Sequence, residues 1–336
     1  MKPYNHFYND WLDCSSFEGT SGANQKIEYL TMNLGVDFFN NLCFDDASIK
    51  QYRHDAVKYC AEPLGDKPAL CMSGGADSQA MVQCFYEAGY NFDVYTLAFK
   101  NDLNIQDVGH ARKYCQENGI KLYELDFDIL SFLTRENFEY GHKYQCSSPH
   151  FNTHFKMFDI LKSMGYTSVV CGGNVPTQNT EVDGRIAWGG GYSRNVMSFI
   201  KYTKISNFLA QGNFLSYYPQ LAWSTSLLTP RTDCPRSTSH TPWEQELRSS
   251  KVRYDDKVLG YQRVGFNVIP QETKYTGFEL VKKYYEDRTG DGWYFEKMFR
   301  HPLEKMINRY NYGHPELKLD DELRLTIQSL YNKFLL

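Results

Sequence analysis

The apolar positions of the chain change rhythm twice. Over the first 65 residues, Ile27, Leu30, Leu34, Phe38 and Leu42 recur at helical spacing, and Asp45-Asp46 stands where a second helix would open and run toward Cys60. From Lys67 onward, short apolar runs alternate with amphipathic stretches. Residues 68–72, 94–99, 122–127 and 168–171 read as buried strands. Between them, Ala80, Met81, Cys84, Phe85 and Ala88 mark one helix face, and Ile105, Val108, Ala111, Arg112 and Cys115 mark a second. Phe151, Phe155, Phe158 and Leu161 mark a third, and glycines 89, 119 and 165 end the three helices. Beyond Gly191 the alternation stops. Residues 193–211 read as helix, the Ser/Thr/Pro-rich 224–242 as a loop or lid, and further helices are expected around 277–287, 293–310 and 320–335. Strands that alternate with helices imply right-handed crossovers, so the expected fold is α/β, a parallel sheet with helices on both faces plus helical N- and C-terminal regions.

Composition narrows the class. Of 336 residues, 42% are hydrophobic and 23% charged, which fits a globular chain of one large or two unequal domains. The net charge of −4 carries no global basic footprint, so RNA is not the favoured partner. Neither an apolar leader nor a membrane-length apolar run is present, and the expectation is a cytoplasmic protein with no membrane contact; a homodimer is compatible with it. Nine cysteines are widely spaced with no CxxC pair, so they read as reduced thiols rather than a zinc site or a disulfide framework.

The chemistry gathers at Ser73-Gly74-Gly75-Ala76-Asp77-Ser78, between an expected strand and an expected helix. Glycines there let the backbone approach a ligand closely, consecutive amides form an anion nest, and the helix adds the positive end of its dipole. Ser73 and Ser78 add hydroxyls. Asp77 would repel bare phosphate, which calls for a bridging Mg²⁺ or an N-cap role.

These residues resemble the SGGxDS signature of the PP-loop, or N-type, ATP pyrophosphatases, among them the asparagine synthetase C-terminal domain and 7-cyano-7-deazaguanine synthase. The likeness covers roughly residues 66–205. It implies an ATP-binding domain over 66–215, between an N-terminal helical extension at 1–65 and a mainly helical acceptor or lid region at 216–336. It also implies cleavage of ATP to AMP and pyrophosphate with Mg²⁺ assisting, Asp77 on the metal and the loop on pyrophosphate. Leu97-Ala98-Phe99 match the place where that family's backbone meets adenine, with Ala98 and Phe99 as the contacts. Gly172-Gly173 match its second glycine turn, but Val175-Pro176-Thr177-Gln178 follow where an acidic pair is usual, leaving Glu181 or Asp183 as substitutes.

An adenylating reaction needs a cation at the α-phosphate. Arg185, Arg194, Lys201 and Lys204 follow the second turn, with Arg194, Lys201 and Lys204 on one expected helix and Gly189-Gly190-Gly191 as its hinge. The acceptor is expected to be a small molecule or a nucleobase. No Cys, Ser or Thr follows Met1 at once, so ammonia or another nucleophile is expected from a separate donor. Two further groups carry weaker signals. His150 and His154 stand one helical turn apart but read as ordinary surface or helix-start histidines. The basic-aromatic stretch 248–263, with Lys257 and Tyr261, reads as a solvated face and, as the alternative, an RNA contact.

Overall fold

Strands apolar on both faces leave no side for water, and helices must cover both. The computed structural model describes residues 11–13, 29–65, 67–173, 177–182, 185–190, 196–230, 242–272, 277–307 and 316–335. Strands β1 (Leu12–Asp13) and β2 (Tyr29–Met32) precede helices α1 (Val36–Asn40) and α2 (Asp46–Leu64). Then come β3 (Ala69–Cys71), α3 (Ala76–Glu87), β4 (Asp93–Phe99), α4 (Ile105–Glu117), β5 (Leu122–Phe127), α5 (Ile129–Arg135), α6 (Asn137–Tyr144), α7 (Pro149–Ser163) and β6 (Ser168–Cys171). A hairpin of β7 (Thr177–Val182) and β8 (Arg185–Gly190) leads to α8 (Val196–Ser206), β9 (Leu209–Gln211), α9 (Pro219–Leu228), α10 (Pro242–Arg263), α11 (Glu279–Thr289), α12 (His301–Met306), β10 (Glu316–Lys318) and α13 (Asp321–Leu335).

The central sheet has the order β5-β4-β3-β6-β9, and every pair in it is parallel. Its side chains divide with the period of two that a strand dictates. Leu70, Val94 and Val170 enter one core with Phe85 of α3, Tyr114 of α4, Trp223 of α9 and Tyr261 of α10. Ala69, Tyr95, Val169 and Cys171 enter the other, with Phe155 and Phe158 of α7 and Tyr202 of α8. The chain lays down β3, β4 and β5 outward, then returns across β3 to add β6 and β9 on its other side. The order therefore reverses between β3 and β6, and in such sheets ligands bind at the carboxyl ends of the strands where that reversal falls.

Several expectations change. The helical rhythm over 27–42 breaks into β2 and α1, because β2 pairs in parallel with β10, which supplies backbone partners that a helix would otherwise supply. The N-terminal segment is therefore not wholly helical. Nor is the C-terminal one, since β10 also pairs with β8 in a second sheet ordered β1-β2-β10-β8-β7. Gly189 and Gly190, expected in a hinge, are paired in the β7–β8 ladder. The polar start of the expected 224–242 loop lies within α9, where Thr225 and Ser226 donate to the carbonyls of Leu221 and Ala222 at 2.8 and 2.9 Å and are thereby satisfied inside a buried helix. Residues 231–241 lie outside the described residues. The seven described cysteines are free.

His150 and His154 of α7 are half-buried, with His150 Nε2 and His154 Nδ1 turned inward. The His150 ring lies 3.9 Å from Phe278 and the His154 ring stacks 6.4 Å from Phe158. Burial pushes His154 down to about 4, and it pushes His150 down too, with the charges of Lys282 and Arg300 and the nearness of His154 adding. Between the folded and unfolded values the unfolded chain holds the extra proton, so stability is lost as the pH falls from about 6.5 toward 4. Replacing His154 by Phe should remove about 2 kcal/mol of the stability difference between pH 7 and pH 5, measured by urea unfolding. An unchanged pH dependence in the variant would count against a neutral, half-buried His154.

Candidate active site at the sheet reversal

The turn Ser73–Ser78 follows β3 and opens α3 at the point where the strand order reverses. Gly74 has φ of +79°, and a Cβ there would lie 2.4 Å from the Asp107 carbonyl oxygen of α4. A side chain is excluded twice over, by conformation and by space. Gly172, just past β6, presses on the same turn from the other side: its Cβ would stand 2.7 Å from the Asp77 carbonyl and the Ser78 Cα. Gly173 packs equally tightly on Asn213. The two glycine turns singled out in the sequence therefore meet.

Inside the turn, Ser78 Oγ accepts from the Ser73 amide at 3.2 Å and donates to the Gly75 carbonyl at 2.9 Å. Gly75 is the N-cap of α3 and has no side chain to cap it. Among the described residues, no backbone acceptor takes the amides of Gly74, Gly75, Ala76 or Asp77. Four donors at the positive end of a twelve-residue helix make an anion site.

Two residues of α10 hold Asp77. Lys257 Nζ lies 2.6 Å from its Oδ2, and the buried Tyr261 hydroxyl donates to its Oδ1. Burial raises the Tyr261 phenol well above its ordinary range, with the Asp77 charge adding, so it stays protonated and donates. Tyr254, two turns before Tyr261 on α10, is pushed up to about 12, chiefly by burial, with the charges of Asp77, Asp255 and Asp107 contributing. The stretch 248–263 is therefore not a solvated face where it is described: Tyr254, Val258 and Tyr261 are buried, and Lys257 faces the turn.

The segment after α10 is fastened along α3 by a polar stripe. Gln79 accepts from the Ile269 amide at 2.7 Å and donates to the Ile269 carbonyl at 3.1 Å and the Gly74 carbonyl at 2.8 Å. Gln83 accepts from the Asn267 amide, and Arg53 of α2 donates to the carbonyls of Val264 and Gly265. Gln271 closes the row, donating to the Gly74 carbonyl at 3.3 Å.

At the end of β4, the strand β3 stops opposite Tyr95, and the Leu97 carbonyl and Phe99 amide run on beyond it. The Asn104 carboxamide takes both, accepting from Phe99 and donating to Leu97 at 2.8 Å each. Ala98 pairs on the far side with Asp126 of β5.

The structure thus brings together Ser73, Gly74, Gly75, Asp77, Ser78, Gly172 and Gly173. It puts Ala98 and Phe99 at the end of the neighbouring strand. Lys201 is half-buried and Lys204 exposed on α8, the helix before β9, while Arg194 and Asp183 lie outside the described residues; Glu181 and Arg185 lie on β7 and β8. Sequence reasoning passed over Gln79, Asn104 and Gln271, and it brought the 248–263 stretch to the turn only in its RNA-contact alternative, with no individual role for Lys257 or Tyr261. A signal existed for Gln79: with Gln83 and Glu87 it forms a polar row at helical spacing on a helix otherwise apolar.

No family model matches the chain. A tRNA(Ile)-lysidine synthase of Bacteroides thetaiotaomicron is 32% identical over 73 residues, 21% of this chain and 17% of that protein, so the match spans about a sixth of the relative's length. Solved structures similar to the chain include an NMN synthetase from Francisella tularensis (10% identity, TM-score 0.33, 90% of this chain and 94% of that one). Others are the U34-tRNA thiolase NcsA from Methanococcus maripaludis (12%, 0.34, 84% of each) and an NH3-dependent NAD synthetase from Campylobacter jejuni (11%, 0.32, 86% and 95%). Likenesses of this size say nothing about activity.

Gly172→Ala should push the start of α3 aside and lower the turn's affinity for inorganic pyrophosphate by about tenfold or more in calorimetric titration. Gly109→Ala, where a Cβ meets nothing within 4 Å, serves as the control and should bind as the parent does. Equal affinities for all three proteins would mean that the contact between the turns does not shape the site.

Proposed function

We propose that the chain is a PP-loop ATP pyrophosphatase that activates an acceptor oxygen by adenylation, yielding AMP and pyrophosphate. The observation that carries this reading is the set of amides at Gly74–Asp77, turned out at the sheet reversal with an acid–cation pair, Asp77 and Lys257, at their side. Anionic phosphate is the ligand such amides suit, and a carboxylate beside them suits a metal-bound polyphosphate better than a bare one.

Mg²⁺ fits the donor set. Asp77 supplies one carboxylate and Ser73 and Ser78 hydroxyls, and this ion commonly takes one or two carboxylates and completes its shell from phosphates and water. Bound there, it would neutralise charge on the departing pyrophosphate.

The protein's own part is orientation and charge. The amides of Gly74–Asp77 hold the β- and γ-phosphates, Ser73 donates its hydroxyl, and Ser78 holds the turn in shape through the Gly75 carbonyl and the Ser73 amide. Lys257 turns from Asp77 toward a phosphate oxygen as charge builds there. The acceptor oxygen forms a bond to the α-phosphorus while the bond from that phosphorus to the bridging oxygen breaks, and the electron pair leaves with pyrophosphate. A nitrogen or sulfur nucleophile, ammonia among them, then displaces AMP. Adenine lies at the end of β4 beside Ala98 and Phe99, exchanging with the Asn104 carboxamide, which presents the same donor–acceptor pair as adenine's N6 and N1. Gly172 and Gly173 close the opposite wall. Lys201, Lys204 and Arg194 are the further cations proposed for the charge that builds at the α-phosphate. The acceptor itself is a small molecule or a nucleobase, and an amide-forming or base-modifying ligation is the reaction this chemistry serves.

The test is ATP–pyrophosphate exchange across a panel of carboxylate, amide and nucleobase acceptors. Exchange should require one acceptor, vanish in Asp77→Ala and fall by about 10²–10³ in Lys257→Met. Release of ADP and orthophosphate, or full exchange in Lys257→Met, would overturn the assignment.

A further inference from the structure

Away from the glycine turns, α5 and α11 present matching patterns to each other. Leu130, Ser131, Thr134 and Arg135 from α5 face Tyr284, Tyr285, Arg288 and Thr289 from α11, and with Tyr294 they line an open groove of about 450 Å³. That volume lies within the ~300–1,000 Å³ usual for ligand sites.

The lining has a definite chemistry. The Arg288 guanidinium carbon lies over Tyr284, 3.6 Å from the ring centroid, and Tyr285 stacks on Tyr294 at 5.3 Å and 22°. Planar groups are thus already stacked in the groove, and guanidinium planes and tyrosine faces are the surfaces on which unpaired bases stack. Among the described residues no carboxylate lies within ion-pair distance of Arg135 or Arg288, whereas the nearby Lys283 and Lys297 are paired with Asp287 and Asp291. Two guanidinium groups with no carboxylate in ion-pair contact, although the Asp128 charge is near enough to feel Arg135, stand beside stacked rings and complement a phosphate–base repeat. The Thr134 hydroxyl donates to the Leu130 and Ser131 carbonyls at 3.1 and 3.0 Å. Its proton is committed, so its oxygen is left to accept, and a ribose 2′-hydroxyl is a donor that DNA lacks.

We infer that the α5–α11 groove binds a single-stranded segment of RNA, its bases stacking on Tyr284, Arg288 and Tyr294 and its phosphates meeting Arg135 and Arg288. This site is separate from the nucleotide turn, and the inference does not rest on the adenylating reaction. The local groove also explains how a chain of net charge −4 engages RNA: two guanidinium groups and three rings act without a global basic surface.

The test is fluorescence anisotropy of the full chain with a fluorescein-labelled single-stranded oligoribonucleotide of about twelve nucleotides, within the usual site size per module. Binding should weaken by about tenfold or more in Arg135→Glu and in Tyr284→Ala, and the salt slope should fall by about one in Arg135→Glu. DNA of the same sequence should bind several-fold more weakly. Arg135 is exposed, so Arg135→Glu should keep the parent's circular dichroism and thermal transition. No binding at low salt, or equal binding by parent and Arg135→Glu, would overturn the inference. Displacement by AMP or by an acidic peptide as readily as by unlabelled RNA would also overturn it, assigning the groove to that ligand.

Discussion

The site depends on a packing constraint: two glycine turns and one helix start occupy a space with no room for a single extra carbon. Gly74 is wedged against the Asp107 carbonyl and Gly172 against the backbone of Asp77 and Ser78. Protein interiors yield little to such pressure. The amides of Gly74–Asp77 are therefore aimed by contacts from α4 on one side and β6 on the other, and the direction in which they point is a property of the sheet rather than of the loop. This is why the turn falls at the reversal of strand order, where the ends of β3 and β6 stand side by side.

Around this rigid cup the chain has built a polar belt from distant segments. Asp77 is held by Lys257 and Tyr261 from α10, the Gly74 carbonyl accepts from Gln79 and Gln271, and Arg53 ties down the turn that ends α10. Hydrogen bonds to buried or half-buried charged groups are the stronger kind. Each also leaves an unpaired group behind if one partner is removed. The C-terminal region thus does more than lie beside the central sheet, since Lys257 of α10 pairs with the turn's carboxylate.

How much of this was legible in the sequence depended on whether a residue's role was local. The strands of the central sheet, the helices between them and both glycine turns were readable, because a strand–turn–helix junction writes itself into consecutive residues. Asp45 was also readable, and it caps α2 by accepting from the Ser48 amide. Roles set by long-range pairing were not. Tyr29–Met32 reads as helix until β10, almost the whole chain away, supplies its partner. Ser224–Ser226 read as loop until their helix is seen to be buried. Lys257 carried no mark distinguishing it from Lys251, which pairs with Asp255 within its own helix, although the two lie six residues apart. The histidines of α7 show the same limit: their spacing is visible in sequence, their burial is not.

The central claim is that the Gly74–Asp77 amides grip pyrophosphate. It is tested most directly by a crystal structure of the protein with a non-hydrolysable ATP analogue and Mg²⁺. The account predicts β- and γ-phosphate oxygens at about 3 Å from those amides, with Lys257 Nζ moved from Asp77 to a phosphate oxygen. A nucleotide bound elsewhere, or amides directed away from its phosphates, would contradict it.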